Sequence, residues 1–250
     1  MTFALELDDV SRAFAGRAAL DGFTLGVEFG EVVAIIGLNG AGKTTAMRVL
    51  VGRLTADCGT ARVLGTDPVH LPRAVSLRFG HVVDMPLVYR ELTVRENLWC
   101  AGRLHGLGGA GVARAVGQVL SRLELEPLAD VRARALSQGN RQRLGIAAAL
   151  LHRPTALVID EPTSALDPRG VVIVRELVRE LAVDGCAVLV SSHHLDEVAR
   201  VADRIAVVHA GRVIGSLQPA DADLERRFFA MALADDERRA ALGSTGDGRL

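Results

Sequence analysis

The segment Gly37-Leu38-Asn39-Gly40-Ala41-Gly42-Lys43-Thr44-Thr45 constrains the fold more than any other stretch of the 250 residues. Its spacing, G-x-x-x-x-G-K-[ST], supplies glycines where consecutive backbone N–H groups must turn toward one anion. It also places a lysine to reach phosphate oxygens and a hydroxyl to hold Mg²⁺. Such a loop needs a strand before it and a helix after it, because the helix N-terminus adds its partial positive charge to the same site. Both are present. Val32-Val33-Ala34-Ile35-Ile36 is an unbroken apolar run of the kind buried on both faces of a parallel sheet, and helical spacing follows from Ala46 to Leu54. Lys43 is the only lysine among the 29 basic residues, the others being arginine, as a GC-rich genome would give.

Two more apolar runs end in polar residues. Ala156-Leu157-Val158-Ile159 leads into Asp160-Glu161, and Ala187-Val188-Leu189-Val190 leads into Ser191-Ser192-His193. Ligands of doubly wound sheets bind beyond the carboxyl ends of the strands, so the three strand ends are expected to converge on one ligand. Asp160 is then placed to hold Mg²⁺ through water, and Glu161 to orient and deprotonate an attacking water. A guanine-reading Asn-Lys-x-Asp loop is ruled out, since no lysine follows Lys43; the nucleotide expected is ATP. Phe14, 23 residues before Gly37 (37 minus 14), is a candidate to stack on the purine. His193 and His194, read as neighbours on an extended strand, should face opposite sides, which argues against a shared metal ion.

Elsewhere the pattern is plainer. Residues 3–30 alternate apolar and polar, predicting antiparallel strands with turns near Gly16, Gly22 and Gly30. Residues 92–151 show helical spacing with glycine-rich breaks at 106–111, an expected helical insertion. Residues 221–240 predict one amphipathic helix with a Leu224, Phe228, Phe229 and Ala232 stripe, and Gly243 to Leu250 a frayed end. A formal net charge of -1 offers no general attraction to nucleic acid or anionic lipid. Cys58, Cys100 and Cys186 lack CxxC spacing, which fits a reducing compartment, and Glu6, Asp8 and Asp9 stand where a signal peptide would be basic. The longest apolar runs fall far short of the ~20 residues that span a bilayer.

Leu136-Ser137-Gln138-Gly139-Asn140-Arg141-Gln142-Arg143-Leu144 resembles the signature sequence of ABC ATPases, usually written LSGGQ. The likeness extends from about Thr2 to Gly215, with Phe14 at the adenine position, Gly37 to Thr45 as Walker A, Leu157 to Glu161 as Walker B, Ser164-Ala165-Leu166-Asp167 as the D-loop and His193 as the switch histidine. It implies an α/β fold: a P-loop, RecA-like, doubly wound core with an N-terminal antiparallel β subdomain and an inserted α-helical subdomain. The expected nucleotide-binding domain covers residues 2–220, with the insertion at about 90–151 and a C-terminal helix and tail at 221–250.

The resemblance further implies that two copies, or one copy and a second ABC ATPase, pair head to tail, so that Ser137 and Gly139 of one close on the γ-phosphate held by the other. Catalytic roles fall to Glu161, His193 and Lys43. The nucleotide is expected to meet Phe14, residues 37–45, Ser137, Gly139 and Asp167, and Mg²⁺ to meet Thr44 and Asp160, with Asp84 a further candidate. The expected activity is ATP hydrolysis coupled to transport through a separate integral membrane permease, in the style of export systems, at the inner face of the cell membrane. A coupling helix of the permease would dock between Val83 and Leu104, with Tyr89, Leu92, Leu98 and Trp99 as candidate contacts. Gln138 and Asn140 depart from the signature, and Asp84 stands where the family has a glutamine; no glutamine precedes Gln118. Readings weighed against transport are ABC ATPases of nucleic acid or of the ribosome, and a degenerate regulatory subunit. The first would need a long coiled-coil insertion, yet Lys43 and Ser137 are 94 positions apart (137 minus 43), and the ribosomal type two ATPase copies where this chain has one. Intact Lys43, Asp160, Glu161 and His193 oppose the regulatory reading.

Overall fold

A computed structural model describes residues 3–245. Strands β1 (Leu5–Phe14), β2 (Arg17–Val27) and β4 (Cys58–Val63) form an antiparallel sheet ordered β2-β1-β4. A second sheet runs β5-β6-β7-β3-β8-β9, from β3 (Val32–Ile36), β5 (Phe79–Val82), β6 (Ala156–Ile159), β7 (Ala187–Ser192), β8 (Arg204–His209) and β9 (Arg212–Leu217). Its strands are parallel except that β9 returns antiparallel on β8. The helices are α1 (Lys43–Leu50), α2 (Arg73–Ser76), α3 (Val94–Leu104), α4 (Gly109–Arg122), α5 (Gln138–Leu150), α6 (Pro168–Val183), α7 (Leu195–Val198) and α8 (Leu224–Thr245).

The unbroken apolar strands serve two cores at once. Val33 and Ile35 of β3 join α1 and the inner face of the antiparallel sheet, where Leu5, Leu7, Phe23 and Met47 are buried. Val32, Ala34 and Ile36, pointing the other way, join the core under α3 to α6, with Leu98, Leu144 and Leu177. Helices α3, α4 and α5 follow β5 and precede β6, in the stretch where helical spacing was expected. Two of these starts have a side-chain cause: Thr93 and Glu96 make a reciprocal capping box on α3, and Ser137 accepts from the Asn140 N–H at the head of α5, whereas α4 follows Gly108 with no side-chain cap.

Several expectations change. The helix after the glycine loop begins at Lys43 and ends at Leu50, earlier at both ends than its apolar spacing implied; the bond from the Ala46 N–H to the Gly42 carbonyl already encloses residues 43–45 in its first turn and leaves their own N–H groups without a helical acceptor. Gly16 and Gly30 lie in turns, with φ 81° and 76°, but Gly22 lies inside β2. There the β1/β2 register shifts between Val10 and Arg12, so Gly22 serves a bulge and not a chain reversal. In α8, Phe228 and Ala232 are buried while Phe229 is 52% exposed, so the expected stripe is narrower than drawn. Residues 243–245 are helical, and the rest of the predicted frayed end lies outside the described residues. No helix among the described residues is long and apolar enough to cross a membrane.

Candidate functional site

β7 lies between β3 and β6, so the three polar strand ends are neighbours. The loop after β3 is shaped by close approach. A Cβ on Gly37 would lie 2.3 Å from the Val208 carbonyl oxygen, and one on Gly42, at φ 110°, would lie 2.7 Å from that of Ala19. Only glycine fits either position. Leu38 accepts from the Ala41 N–H at 3.1 Å, closing the turn through Asn39 and Gly40, and Ala41 in turn accepts from Gly211 at 2.8 Å. The Ala19 contact also sets the β1–β2 hairpin beside the loop. Phe14 at the end of β1 is 44% exposed, with the Arg12 guanidinium 5.2 Å from its ring centroid.

Lys43 is buried, and its ammonium donates to the Gly37 and Leu38 carbonyls at 2.6 and 3.3 Å. Burial lowers its pKa from the ordinary lysine value, while the charges of Glu161 and Asp160 oppose that shift. Thr44, the next residue, donates from Oγ1 to Asp160 Oδ2 at 2.9 Å. Asp160 is buried, and its second oxygen accepts from the Ser191 hydroxyl. The Ser191 oxygen also accepts from the Glu161 N–H at 2.8 Å. Glu161 takes the left-handed φ of 47°, and its Oε2 lies 2.9 Å from His193 Nδ1. A single polar chain, Thr44–Asp160–Ser191–Glu161–His193, therefore runs across the ends of β3, β6 and β7.

In the sequence Ser191 is only the polar end of an apolar strand. Its role rests on partners 31 and 30 residues away, and the one local signal is a hydroxyl at the buried tip of an apolar run. His193 and His194 do not alternate as strand neighbours would: β7 ends at Ser192, and the two rings lie 3.9 Å apart. The opposite-faces argument against a shared metal ion therefore fails. Among the described residues no group of three or more His, Cys, Asp or Glu side chains could hold a metal ion.

The remaining candidates lie on other elements. Ser137 caps α5, and a Cβ on Gly139 would lie 2.6 Å from the Ala165 carbonyl oxygen, so the head of α5 packs on the 164–167 loop. Asp167 caps α6, its carboxylate accepting from the Gly170 N–H at 2.8 Å. Asp84 follows β5 with its carboxylate on Arg48. Among the expected docking contacts Leu98 is fully buried and Trp99 packs against the core; Met85, Leu87, Tyr89 and Leu104 are the exposed apolar side chains of that region.

A family model described as ABC transporter matches residues 20–164. The daunorubicin resistance ATP-binding protein DrrA3 of Streptomyces coeruleorubidus is 41% identical over 84% of this chain and 67% of its own. A Nod factor export ATP-binding protein I of Paraburkholderia xenovorans is 36% identical over 86% of this chain and 71% of its own. Among solved structures, an ATP-binding subunit of an ABC transporter superposes with a TM-score of 0.81 at 31% identity, covering 92% of this chain and 95% of that one. A dimeric ATP-binding cassette bound to ADP and Pi has the same fold, with a TM-score of 0.79 at 23% identity over 87% of this chain and 99% of that one. The chain belongs to the ABC transporter family, as an ATP-binding subunit that hydrolyses ATP.

Proposed function

We propose that this subunit energises an export-type ABC system, with Lys43, Glu161 and His193 as its catalytic residues. The observation that carries the reading is the polar chain from Thr44 to His193, which joins a phosphate-binding loop to a carboxylate and an imidazole within hydrogen-bond reach of each other. The export direction is supported by the relatives' names, which are daunorubicin resistance and Nod factor export ATP-binding proteins. The partners proposed are a membrane permease, docked near the exposed Met85, Leu87 and Tyr89, and a second ATP-binding subunit. Such a permease would hold this subunit at the inner face of the cell membrane.

The N–H groups of the 37–45 loop, other than that of Ala41, which closes the turn on Leu38, bind the phosphates together with the Lys43 ammonium, and Phe14 offers its exposed ring to the adenine. Thr44 and Asp160 are hard oxygen donors beside the loop, a set that fits Mg²⁺ held by one or two protein groups and by phosphate. That ion would neutralise charge on the β and γ phosphates. Glu161 accepts the proton of the attacking water as its oxygen bonds to the γ-phosphorus and the bond to the β–γ bridging oxygen breaks; His193 holds the carboxylate in place. Ser137, Gly139 and Asp167 complete the site from the second subunit.

The test is Glu161→Gln. Loss of a general base should slow hydrolysis by roughly 10² to 10⁴ while ATP still binds, so an ATP-bound dimer should accumulate. Wild-type turnover by this variant, or only monomer in sizing chromatography with ATP and Mg²⁺, refutes the reading.

A further inference from the structure

After β5 the chain crosses to α3 through residues 84–93. Asp84 takes the left-handed φ of 66°, which aspartate tolerates better than most residues. Arg48 of α1 grips its carboxylate: Nε donates to Oδ1 at 3.0 Å and Oδ2 at 3.2 Å, and Nη2 to Oδ1 at 2.5 Å. Arg53 adds a contact at 3.6 Å while donating to the Val83 carbonyl at 2.9 Å. Arg48 sits one turn beyond Thr44 on the same helix, so this grip and the phosphate-binding groups share a rigid element.

The same connector is fastened twice more. Pro86 rests on Gly145 of α5 so closely that a Cβ there would lie 2.4 Å from the proline Cβ. The buried Asn97 of α3 accepts from the Tyr89 N–H at 2.7 Å and donates to the Tyr89, Leu92 and Thr93 carbonyls. One short segment is thus joined by charge to α1, by steric contact to α5 and by an amide to α3. Helix α5 begins at Gln138, directly after its Ser137 cap.

We propose that Arg48 and Asp84 are positioning residues whose ion pair registers the 84–93 connector to α1, so that nucleotide on the phosphate loop is felt at α5 and its Ser137 cap. This rests on the ATP-site reading above. Both side chains are partly exposed, so the pair acts through the placement of the connector and adds little to global stability.

The test is amide hydrogen exchange on the full chain, with and without a non-hydrolysable ATP analogue and Mg²⁺, for wild type, Arg48→Gln, Asp84→Asn and the double variant. In wild type the analogue should protect both 37–45 and the connector. Each single variant should lose about two- to fivefold of the connector's protection, the range of an exposed ion pair, and the double variant no more than either. Protection of 37–45 should persist in all four, and Arg48→Lys should retain part of the connector's protection. Connector protection that is absent in wild type, unchanged in the single variants, or lost multiplicatively in the double variant overturns the inference alone. Failure of the analogue to protect 37–45 in wild type overturns the ATP-site reading and this inference together.

Discussion

Position 43 should not accept the basic residue the rest of the chain uses. Its ammonium is buried and points at two carbonyl oxygens, a pocket for a compact, rotatable charge; arginine brings a planar fork of five donors that such a pocket cannot pair. Lys43→Arg should weaken ATP binding by at least roughly tenfold, and Lys43→Ala should abolish turnover by removing the phosphate contact altogether. Equilibrium titration and ATPase assay check both, and near-normal activity in Lys43→Ala would remove the loop from the mechanism. Gly37→Ala tests the neighbouring packing. Its new methyl would meet a backbone oxygen of β8 at 2.3 Å, which no rotamer relieves, so the strand or the loop must shift. Destabilisation of about 1–3 kcal/mol is expected, read as a lower urea midpoint; an unchanged midpoint would mean that the loop yields freely.

Among the elements, the connector between β5 and α3 depends most on one side chain. Asn97 is buried and makes four hydrogen bonds to the backbone of residues 89–93. Asn97→Ala leaves those groups short of partners and should cost roughly 1–3 kcal/mol, with increased proteolysis between β5 and α3; unchanged cleavage would argue against the amide as the clamp. Nothing in the sequence singled out Asn97, because its partners are ordinary backbone groups. The phosphate loop was legible for the opposite reason: its chemistry needs contiguous residues, and β3 and α1 flank it in the chain. β6 and β7 were also legible, being buried throughout and apolar up to the two serines that end β7. β4 was not, because most of it is exposed and its pairing with β1 is long-range. Gly22 reads as a turn until its register is known, since turns and bulges ask the same backbone freedom of glycine. Asp84 was visible as a departure, but its partner Arg48 was one arginine among many until α1 and β5 were placed side by side.

The seam between the parallel sheet and the inserted helices carries a feature of the molecule as a whole. His81 on β5, His105 just beyond α3 and His152 just beyond α5 gather there, with the rings of His105 and His152 stacked at 3.8 Å and His152 Nε2 3.1 Å from the Phe79 carbonyl oxygen. Burial, then the positive charges of Arg53 and His105, pushes His81 down to about 4. Burial and the nearby His105 push His152 to about 4 as well, against a smaller opposing effect of the Phe79 hydrogen bond. His105 itself is lowered by burial. In the unfolded chain these imidazoles take up protons near pH 6.5, so between pH 6.5 and 4 the unfolded state binds more protons and acid favours unfolding. The contribution of the neutral rings is complete above pH 6.5 and is lost as pH falls toward 4, on the order of 3 kcal/mol for each deeply shifted histidine. Urea unfolding at stepped pH should therefore show stability flat above about pH 7 and falling steeply below 6.5. Carboxylates such as Asp57 and Glu124, whose pKa values are lowered, add their own loss further into acid. Subtracting the curve of His81→Phe separates the two, because that variant keeps the carboxylates and lacks one ring. It should lose stability less steeply than wild type between pH 6.5 and 4, by up to about one proton's worth of slope. Parallel curves across that window would mean that His81 titrates normally and that the seam is wetter than its packing indicates.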